Sequence, residues 1–186
     1  MAKLVGVLAL QGDFEAHAKM ICSLGAEARE VRVPADLEGL DALIIPGGES
    51  TVMTLGIERE GLADPLRALA RGGTPVLGTC AGMIMLDRDH LGVLDIATSR
   101  NAFGRQPHSF EAELELQGVE GGPLRAVFIR APWVTRHGDE VQVLGSIDGH
   151  PVAVRQQNLI AVAFHPELAG ETRLHRLLVG INGSAR

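Results

Sequence analysis

The sequence has no tyrosine, one tryptophan and only two cysteines among its 186 residues. A secreted domain held together by disulfides usually carries more cysteine, so we expect Cys22 and Cys80 to be free thiols in a cytoplasmic protein. The formal net charge of −6 and the shortage of aromatic residues argue against a surface that binds nucleic acid. No apolar run has the length of a membrane span. We therefore expect neither nucleic acid nor a membrane as a partner.

Sequence patterns for metal and nucleotide sites are also missing. There is no C-x-x-C and no H-E-x-x-H, and the two cysteines lie far apart in the sequence. The first predicted strand is not followed by the G-x-G-x-x-G of a dinucleotide site. We therefore predict no metal and no cofactor.

The first half of the chain alternates apolar strand patterns with amphipathic helix patterns. The predicted strands are residues 4–10, 27–33, 42–45 and 74–79. The predicted helices are residues 13–24, a helix capped by Ser50, residues 62–71 and residues 81–86. Short loops between such elements indicate right-handed crossovers and a parallel sheet with helices on both faces.

The second half changes to short strands joined by turn-rich segments. Its predicted strands are residues 109–116, 141–147, 151–155 and 159–164, with a hairpin turn at 157–158 and a last helix near 172–181. The prediction is an α/β fold, with an open, mostly parallel sheet and antiparallel additions in the C-terminal half. We expect residues 1–186 to form one domain, with the ligand site at the carboxyl ends of the strands.

A cysteine stands between two glycines where a predicted strand meets a predicted helix, in segment 78–82 (Gly-Thr-Cys-Ala-Gly). This is the pattern of a nucleophile elbow, a tight turn that exposes its central side chain above the sheet. The helix N-terminus favours the Cys80 thiolate, and the backbone N–H of Ala81 is free to stabilise an oxyanion. The alternative is a buried core cysteine, which we expect for Cys22 on its apolar helix face. The flanking glycines favour Cys80 as a nucleophile.

A thiolate nucleophile needs a base, and one of the seven histidines differs from the rest. His165 directly follows an apolar strand, and Glu167 lies two positions further, so both side chains can point the same way. A carboxylate beside an imidazole fixes its tautomer and stabilises the imidazolium, although a surface histidine with a solvated neighbour is the alternative. If the two strands end on one edge of the sheet, His165 reaches Cys80. The other six histidines are expected to be structural or exposed, with the last of them solvated on the terminal helix: His17, His90, His108, His137, His150 and His175.

A glycine pair in segment 46–51 (Pro-Gly-Gly-Glu-Ser-Thr) also follows a predicted strand and opens a helix that we expect Ser50 to cap. Paired glycines let the backbone come close to a ligand, so Gly47 and Gly48 could direct a second N–H toward an oxyanion. The alternatives are an ordinary strand-to-helix turn and a phosphate site. The segment lacks the lysine of a P-loop, which argues against a nucleotide.

Taken together and in this order, the three segments resemble those of class I, triad-type glutamine amidotransferases. The segments 10–12 (LQG), 46–51, 100–106 (RNAFGRQ), 128–132 (FIRAP) and 164–168 (FHPEL) look more specifically like the glutaminase subunits of pyridoxal 5'-phosphate synthase. These segments span nearly the whole chain, and those at 100–106 and 128–132 are specific to that family.

This resemblance implies hydrolysis of L-glutamine to L-glutamate and ammonia through a thioester, with Cys80, His165 and Glu167 as a catalytic triad. It implies glutamine contacts at six residues: Gly48, Glu49, Ser50, Arg105, Ile129 and Arg130. It implies oxyanion donors at Gly47, Gly48 and Ala81, with Gln11 nearby. Arginine suits the α-carboxylate of free glutamine, but a surface salt bridge is the alternative for both arginines.

The resemblance also implies a partner, a synthase subunit that receives the ammonia in a hetero-oligomer and builds pyridoxal 5'-phosphate (vitamin B6) from a pentose phosphate and a triose phosphate. Ammonia released into water becomes ammonium and stops being a nucleophile, so a sealed interface is expected. The family often has Glu-His after its Gln-Gly turn. Here Ala16 precedes His17, which leaves a partner contact at that position open.

Two other functions are compatible with the same residues. One is a glutaminase that serves another synthase, such as imidazole glycerol phosphate synthase, and segment 100–106 argues against it. The other is a redox-sensing module that uses Cys80 as its sensor. Such a module would not need His165 and Glu167.

Overall fold

The computed structural model describes residues 2–103 and 109–180. Its strands are β1 (Leu4–Leu8), β2 (Glu27–Val31), β3 (Ala42–Ile45), β4 (Val76–Thr79), β5 (Ile96–Ser99), β6 (Ser109–Leu114), β7 (Leu124–Ile129), β8 (Trp133–His137), β9 (Gln142–Ile147), β10 (His150–Gln156) and β11 (Leu159–Val162). Its helices are α1 (Phe14–Ser23), α2 (Ser50–Arg59), α3 (Ala63–Arg71), α4 (Ala81–Leu86) and α5 (Arg173–Gly180), with a 3-10 turn at Pro34–Leu37.

Seven strands form one sheet in the order β2-β1-β3-β4-β11-β10-β9. The first five of these are parallel to one another, while β10 pairs antiparallel with both β11 and β9. Two small antiparallel sheets, β5 with β8 and β6 with β7, account for the remaining strands. The predicted fold class is confirmed. Strands β5, β7 and β8 were not predicted.

The central strands are buried along their whole length. Every residue of β3, β4 and β11 is buried, as continuous apolar runs require when both faces of a parallel sheet are covered. Helix α1 packs on β1 and β2, and α4 packs on β3, β4 and β11. Helix α5 packs on β4. The ends of the three central strands are therefore held by a rigid core.

Three adjacent strands end at the same edge of the sheet. The last paired residues are Ile45 of β3 with Gly78 of β4, and Thr79 of β4 with Val162 of β11. Because these strands are parallel, the segments that follow them emerge side by side. This places the glycine pair after β3, Cys80 after β4 and His165 after β11 next to one another.

The two cysteines have different surroundings. Both are free thiols, and Cys80 is buried. Cys22 is exposed, so the prediction of a core cysteine at this position was wrong. Helix α1 buries Met20 and Ile21 and turns the side of Cys22 to solvent. Among the described residues, no helix combines the length and hydrophobicity needed to cross a bilayer.

Candidate active site

Cys80 lies in the strained turn expected of segment 78–82. Its backbone φ is +49°, an unusual conformation for a residue with a side chain, and its N–H donates to the Val162 carbonyl at 2.8 Å. Helix α4 begins at the next residue, Ala81. The Cys80 thiol lies 3.8 Å from the Ile129 carbonyl oxygen. The chain therefore adopts the strand–turn–helix geometry of a nucleophile elbow.

Steric constraints explain why Gly78 and Gly82 of this elbow are glycines. A Cβ atom on Gly82 would lie 1.9 Å from the carbonyl oxygen of Ile45, and one on Gly78 would lie 2.7 Å from the carbonyl oxygen of Gly82. Only glycine allows so close an approach of backbone to backbone. The start of α4 therefore packs directly against the end of β3, and this fixes the position of the cysteine between them.

His165 meets Cys80 in a space that Gly47 leaves free. The His165 backbone N–H donates to the Val127 carbonyl at 2.8 Å, and its ring forms a hydrogen bond with the Cys80 side chain. A Cβ atom on Gly47 would lie 2.5 Å from His165 Cε1 and 3.2 Å from Cys80 Cβ. The predicted approach of thiol and imidazole is thus present in the fold.

Glu167 completes the row of three side chains. Its Oε1 lies 2.6 Å from His165 Nδ1, and its side chain is fully buried. Burial alone would lower the pKa of His165, but the hydrogen bonds and negative charges of Cys80 and Glu167 outweigh it and raise this pKa to about 10. At neutral pH His165 is therefore protonated and lies as an imidazolium between the Cys80 and Glu167 side chains.

An open cleft of about 380 Å³ lies over Cys80, which is within the range of small-molecule sites. The cleft is lined by eight of the predicted site residues: Gly48, Glu49, Ser50, Cys80, Ala81, Ile129, Arg130 and His165. Gln11 also lines it, as expected. Glu167 lies behind His165, outside this lining. Arg105 lies outside the described residues.

The N-cap of α2 differs from the prediction. Glu49, not Ser50, is the capping residue, because its backbone is extended (φ −90°, ψ 116°) and its carboxylate accepts the backbone N–H groups of Thr51 at 3.2 Å and Val52 at 2.8 Å. These two hydrogen bonds hold the pKa of Glu49 below its usual range. The Ser50 hydroxyl instead accepts a hydrogen bond from Arg100 Nη1 at 3.2 Å.

Sequence reasoning did not single out two further polar residues of the cleft, Arg100 and Asn101. Arg100 Nη1 also donates to the Thr51 hydroxyl at 3.3 Å, and Asn101 has a backbone φ of +48°. Both follow β5, and Arg100 reaches α2 only in the folded chain. Their membership of the family-specific segment 100–106 was the signal that could have identified them.

A pair of buried histidines lies behind Glu167. His17 of α1 and His175 of α5 are both fully buried, and His17 Nδ1 lies 2.8 Å from His175 Nε2. The prediction of a solvated His175 was therefore wrong, because His175 lies on the buried face of α5 together with Leu174 and Leu178. Burial, followed by the nearby histidines, lowers the pKa of His17 to about 3. Burial also lowers the pKa of His175 to about 4, against the raising effect of the Glu171 carbonyl and charge.

These two histidines predict a loss of stability in acid. Between pH 6.5 and about 4 the unfolded chain protonates both rings while the folded chain keeps them neutral, so the unfolding free energy falls as pH falls. His165 has the opposite shift and is protonated in both states there, so it adds nothing. The loss at pH 4.5 is on the order of 2 kcal/mol per histidine, measurable by urea unfolding.

The contribution of one histidine is isolated by a pair of substitutions. His175→Leu should remove its share of the loss between pH 7 and pH 4.5, whereas replacement of the exposed His137 by asparagine should leave the loss unchanged. A His175→Leu variant whose stability falls as steeply as that of the parent would contradict the prediction.

Known proteins resemble the chain along its whole length. Residues 7–182 match the model of the SNO glutamine amidotransferase family. A protein of Frankia alni named pyridoxal 5'-phosphate synthase subunit PdxT is 50% identical over 98% of each chain. A protein of Mycobacteroides abscessus with the same name is 52% identical over 96% of this chain and 97% of its own.

Solved structures agree with these matches. A crystal structure of a glutamine amidotransferase superposes with a TM-score of 0.90 at 46% identity, covering 96% of this chain and 98% of its own. The structure of PurLQS from Thermotoga maritima superposes with a TM-score of 0.69 at 17% identity, covering 98% and 99%, which shows the shared fold alone. Fold, family model and relatives lead to one assignment: the chain belongs to the SNO glutamine amidotransferase family.

Proposed function

We propose that this protein is the glutaminase subunit of a pyridoxal 5'-phosphate synthase, with Cys80, His165 and Glu167 as its catalytic triad. The observation that carries the proposal is the hydrogen-bonded row of these three side chains, which runs from the cleft floor to a buried carboxylate. The names of the relatives, at about half sequence identity, support the choice of synthase.

The first half of the reaction forms a thioester. The Cys80 thiolate attacks the side-chain carboxamide carbon of L-glutamine, and the carbonyl electron pair moves to oxygen. Backbone N–H groups of Ala81 and of the Gly47-Gly48 turn hold this oxyanion. When the intermediate collapses, the C–N bond breaks, and the His165 imidazolium gives its proton to the departing nitrogen, which leaves as ammonia.

The second half releases glutamate. Neutral His165 takes a proton from a water molecule, whose oxygen attacks the thioester carbon. The C–S bond then breaks, which returns the thiolate of Cys80 and the imidazolium of His165. Throughout the cycle Glu167 keeps its negative charge and holds His165 Nδ1–H, as the carboxylate of a triad does.

The α-amino and α-carboxylate groups of glutamine need partners in the cleft. We assign these contacts to Gly48, Glu49, Ser50, Ile129 and Arg130, which line it, and to Arg105. The exposed Arg130 guanidinium suits a carboxylate, and the Glu49 carboxylate at the cleft rim suits an ammonium group.

The product ammonia implies a heteromeric complex. Ammonia that escapes to water is protonated and lost as a nucleophile, so the proposal includes direct transfer to a synthase subunit. Two free cysteines fit a cytoplasmic setting, and one buried core that includes residues from both halves of the chain fits a single glutaminase domain.

A glutamate-release assay tests the proposal. We expect purified protein to convert L-glutamine to equal amounts of glutamate and ammonia, and the synthase subunit to raise the rate about 5- to 150-fold, the usual range of coupling between sites. Absence of glutamate release both with and without the synthase would overturn the assignment.

A further inference from the structure

Glu167 has two carboxylate oxygens, and only one of them serves His165. Oε1 lies 2.6 Å from His165 Nδ1. Oε2 is buried and accepts no well-aligned hydrogen bond from any described residue, and His17 Nε2 lies 3.3 Å from it. A buried carboxylate oxygen without a donor costs stability. The atom that faces Oε2 therefore influences the catalytic row.

We propose that His17 is a positioning residue, whose neutral ring places Nε2–H beside Glu167 Oε2 at 3.3 Å and so holds Oε1 on His165. The proposal rests on the proposed function of Cys80, His165 and Glu167. It assigns no contact with substrate to His17, which lies on α1 behind the sheet edge.

The tautomer of His17 follows from the charges around it. His17 Nδ1 and His175 Nε2 are 2.8 Å apart, so one of them carries the proton between them. If His175 Nε2 donates, His17 keeps its proton on Nε2, directed at Oε2. The reverse arrangement would set a lone pair against a buried carboxylate. A hydrogen bond to a charged group is about twice as strong as a neutral one, which favours the first arrangement.

Other groups also act on the two rings. His175 Nδ1 forms no hydrogen bond of ordinary geometry, although the backbone carbonyl of Glu171 lies close enough to raise the pKa of this ring. The Thr79 hydroxyl forms a hydrogen bond of 3.4 Å with His17 Nε2 and competes with Oε2 only as a neutral group. The remaining charged neighbours are His165 and Glu171, and the Glu171 carboxylate is engaged by Arg173.

A neutral donor suits this position better than a charged one. A protonated His17 would offset the negative charge of Glu167 and weaken its hold on the His165 imidazolium. Burial keeps His17 neutral, so Glu167 is oriented without being neutralised. The expected consequence of losing the N–H is a looser Glu167, a less stable imidazolium and less thiolate at Cys80.

The test measures alkylation of Cys80 by iodoacetamide across pH, in the full-length protein with the exposed Cys22 replaced by serine. His17→Gln places an amide N–H near the position of Nε2, whereas His17→Asn places it one methylene short. We expect His17→Asn to slow alkylation at pH 7 by about 10- to 100-fold and to move the pH midpoint upward. We expect the alkylation rate of His17→Gln at pH 7 to stay within about threefold of that of the parent, because the longer amide replaces the N–H of the ring.

A control on the same helix separates positioning from stability. Ile21→Ala removes a fully buried side chain of α1 that has no hydrogen-bonding group, so it should lower the melting temperature and leave the alkylation profile unchanged. If His17→Asn does not fold, His175→Leu serves instead, with a smaller upward shift of the midpoint expected. An unchanged midpoint in the folded variant, or equal slowing in His17→Gln and His17→Asn, would overturn the proposal.

The alkylation measurement tests the role of His17 independently of the proposed glutaminase reaction. Alkylation reports on the Cys80–His165 pair and needs neither glutamine nor a synthase subunit. If the midpoint shifts as expected but no glutamate is released, the proposed function fails and the role of His17 stands. If glutamate is released and the midpoint does not move, only the role of His17 fails.

Discussion

Replacement of Cys80 by alanine should lower the rate of glutamine hydrolysis by about 10⁴-fold or more, because removal of the nucleophile leaves only the weak catalysis of the remaining site. Glutamate release in the presence of the synthase subunit measures this loss. Binding to the synthase should persist, since Cys80 is only 7% exposed and offers a partner little surface.

The second cysteine is the natural control for this experiment. Cys22→Ala removes an exposed thiol of α1 and should leave glutamate release unchanged. Wild-type hydrolysis by the Cys80→Ala protein would reject the thioester mechanism, and loss of activity in Cys22→Ala would show that the assay reports on something other than the elbow cysteine.

Replacement of Glu167 by glutamine should lower kcat by about 10³- to 10⁴-fold, by analogy with amide replacement of the carboxylate in other triads. The change keeps the shape of the side chain but removes the charge that stabilises the His165 imidazolium. KM for glutamine should change little, because Glu167 does not line the cleft. Steady-state kinetics across pH measure both constants.

A surface carboxylate supplies the comparison. Glu111 forms an exposed ion pair with Arg125, and Glu111→Gln should leave kcat and KM unchanged. A Glu167→Gln variant with kcat within tenfold of the parent would contradict the assigned role. A rise in KM of the same size as the fall in kcat would place Glu167 in substrate binding instead.

The parallel core of the fold was predictable because its strands carry strong local signals. Strand β3, for example, is an unbroken apolar run followed by Pro46-Gly47-Gly48, a pattern that predicts a buried strand and a sharp turn. Strands β5 and β8 belong to a separate two-stranded sheet and alternate less clearly, so pairing rather than local pattern defines them. Their existence could not be read from the sequence.

The meeting of Cys80 and His165 was predictable from the topology of the sheet. The residues that follow adjacent parallel strands emerge at the same edge of the sheet. A cysteine after β4 and a histidine after β11 therefore meet once these strands pair. The surroundings of His17 and His175 were not predictable, because they depend on how α1 and α5 pack across the sheet. Helix periodicity identifies a face but does not say what covers it.

The absence of a side chain at Gly47 affects how closely Cys80 and His165 approach each other. Gly47 lies against both side chains and has no side chain of its own to titrate or rotate, and any added carbon would enter the volume of the imidazole ring. The close approach of Cys80 and His165 therefore depends on the shape of the backbone rather than on a further polar side chain.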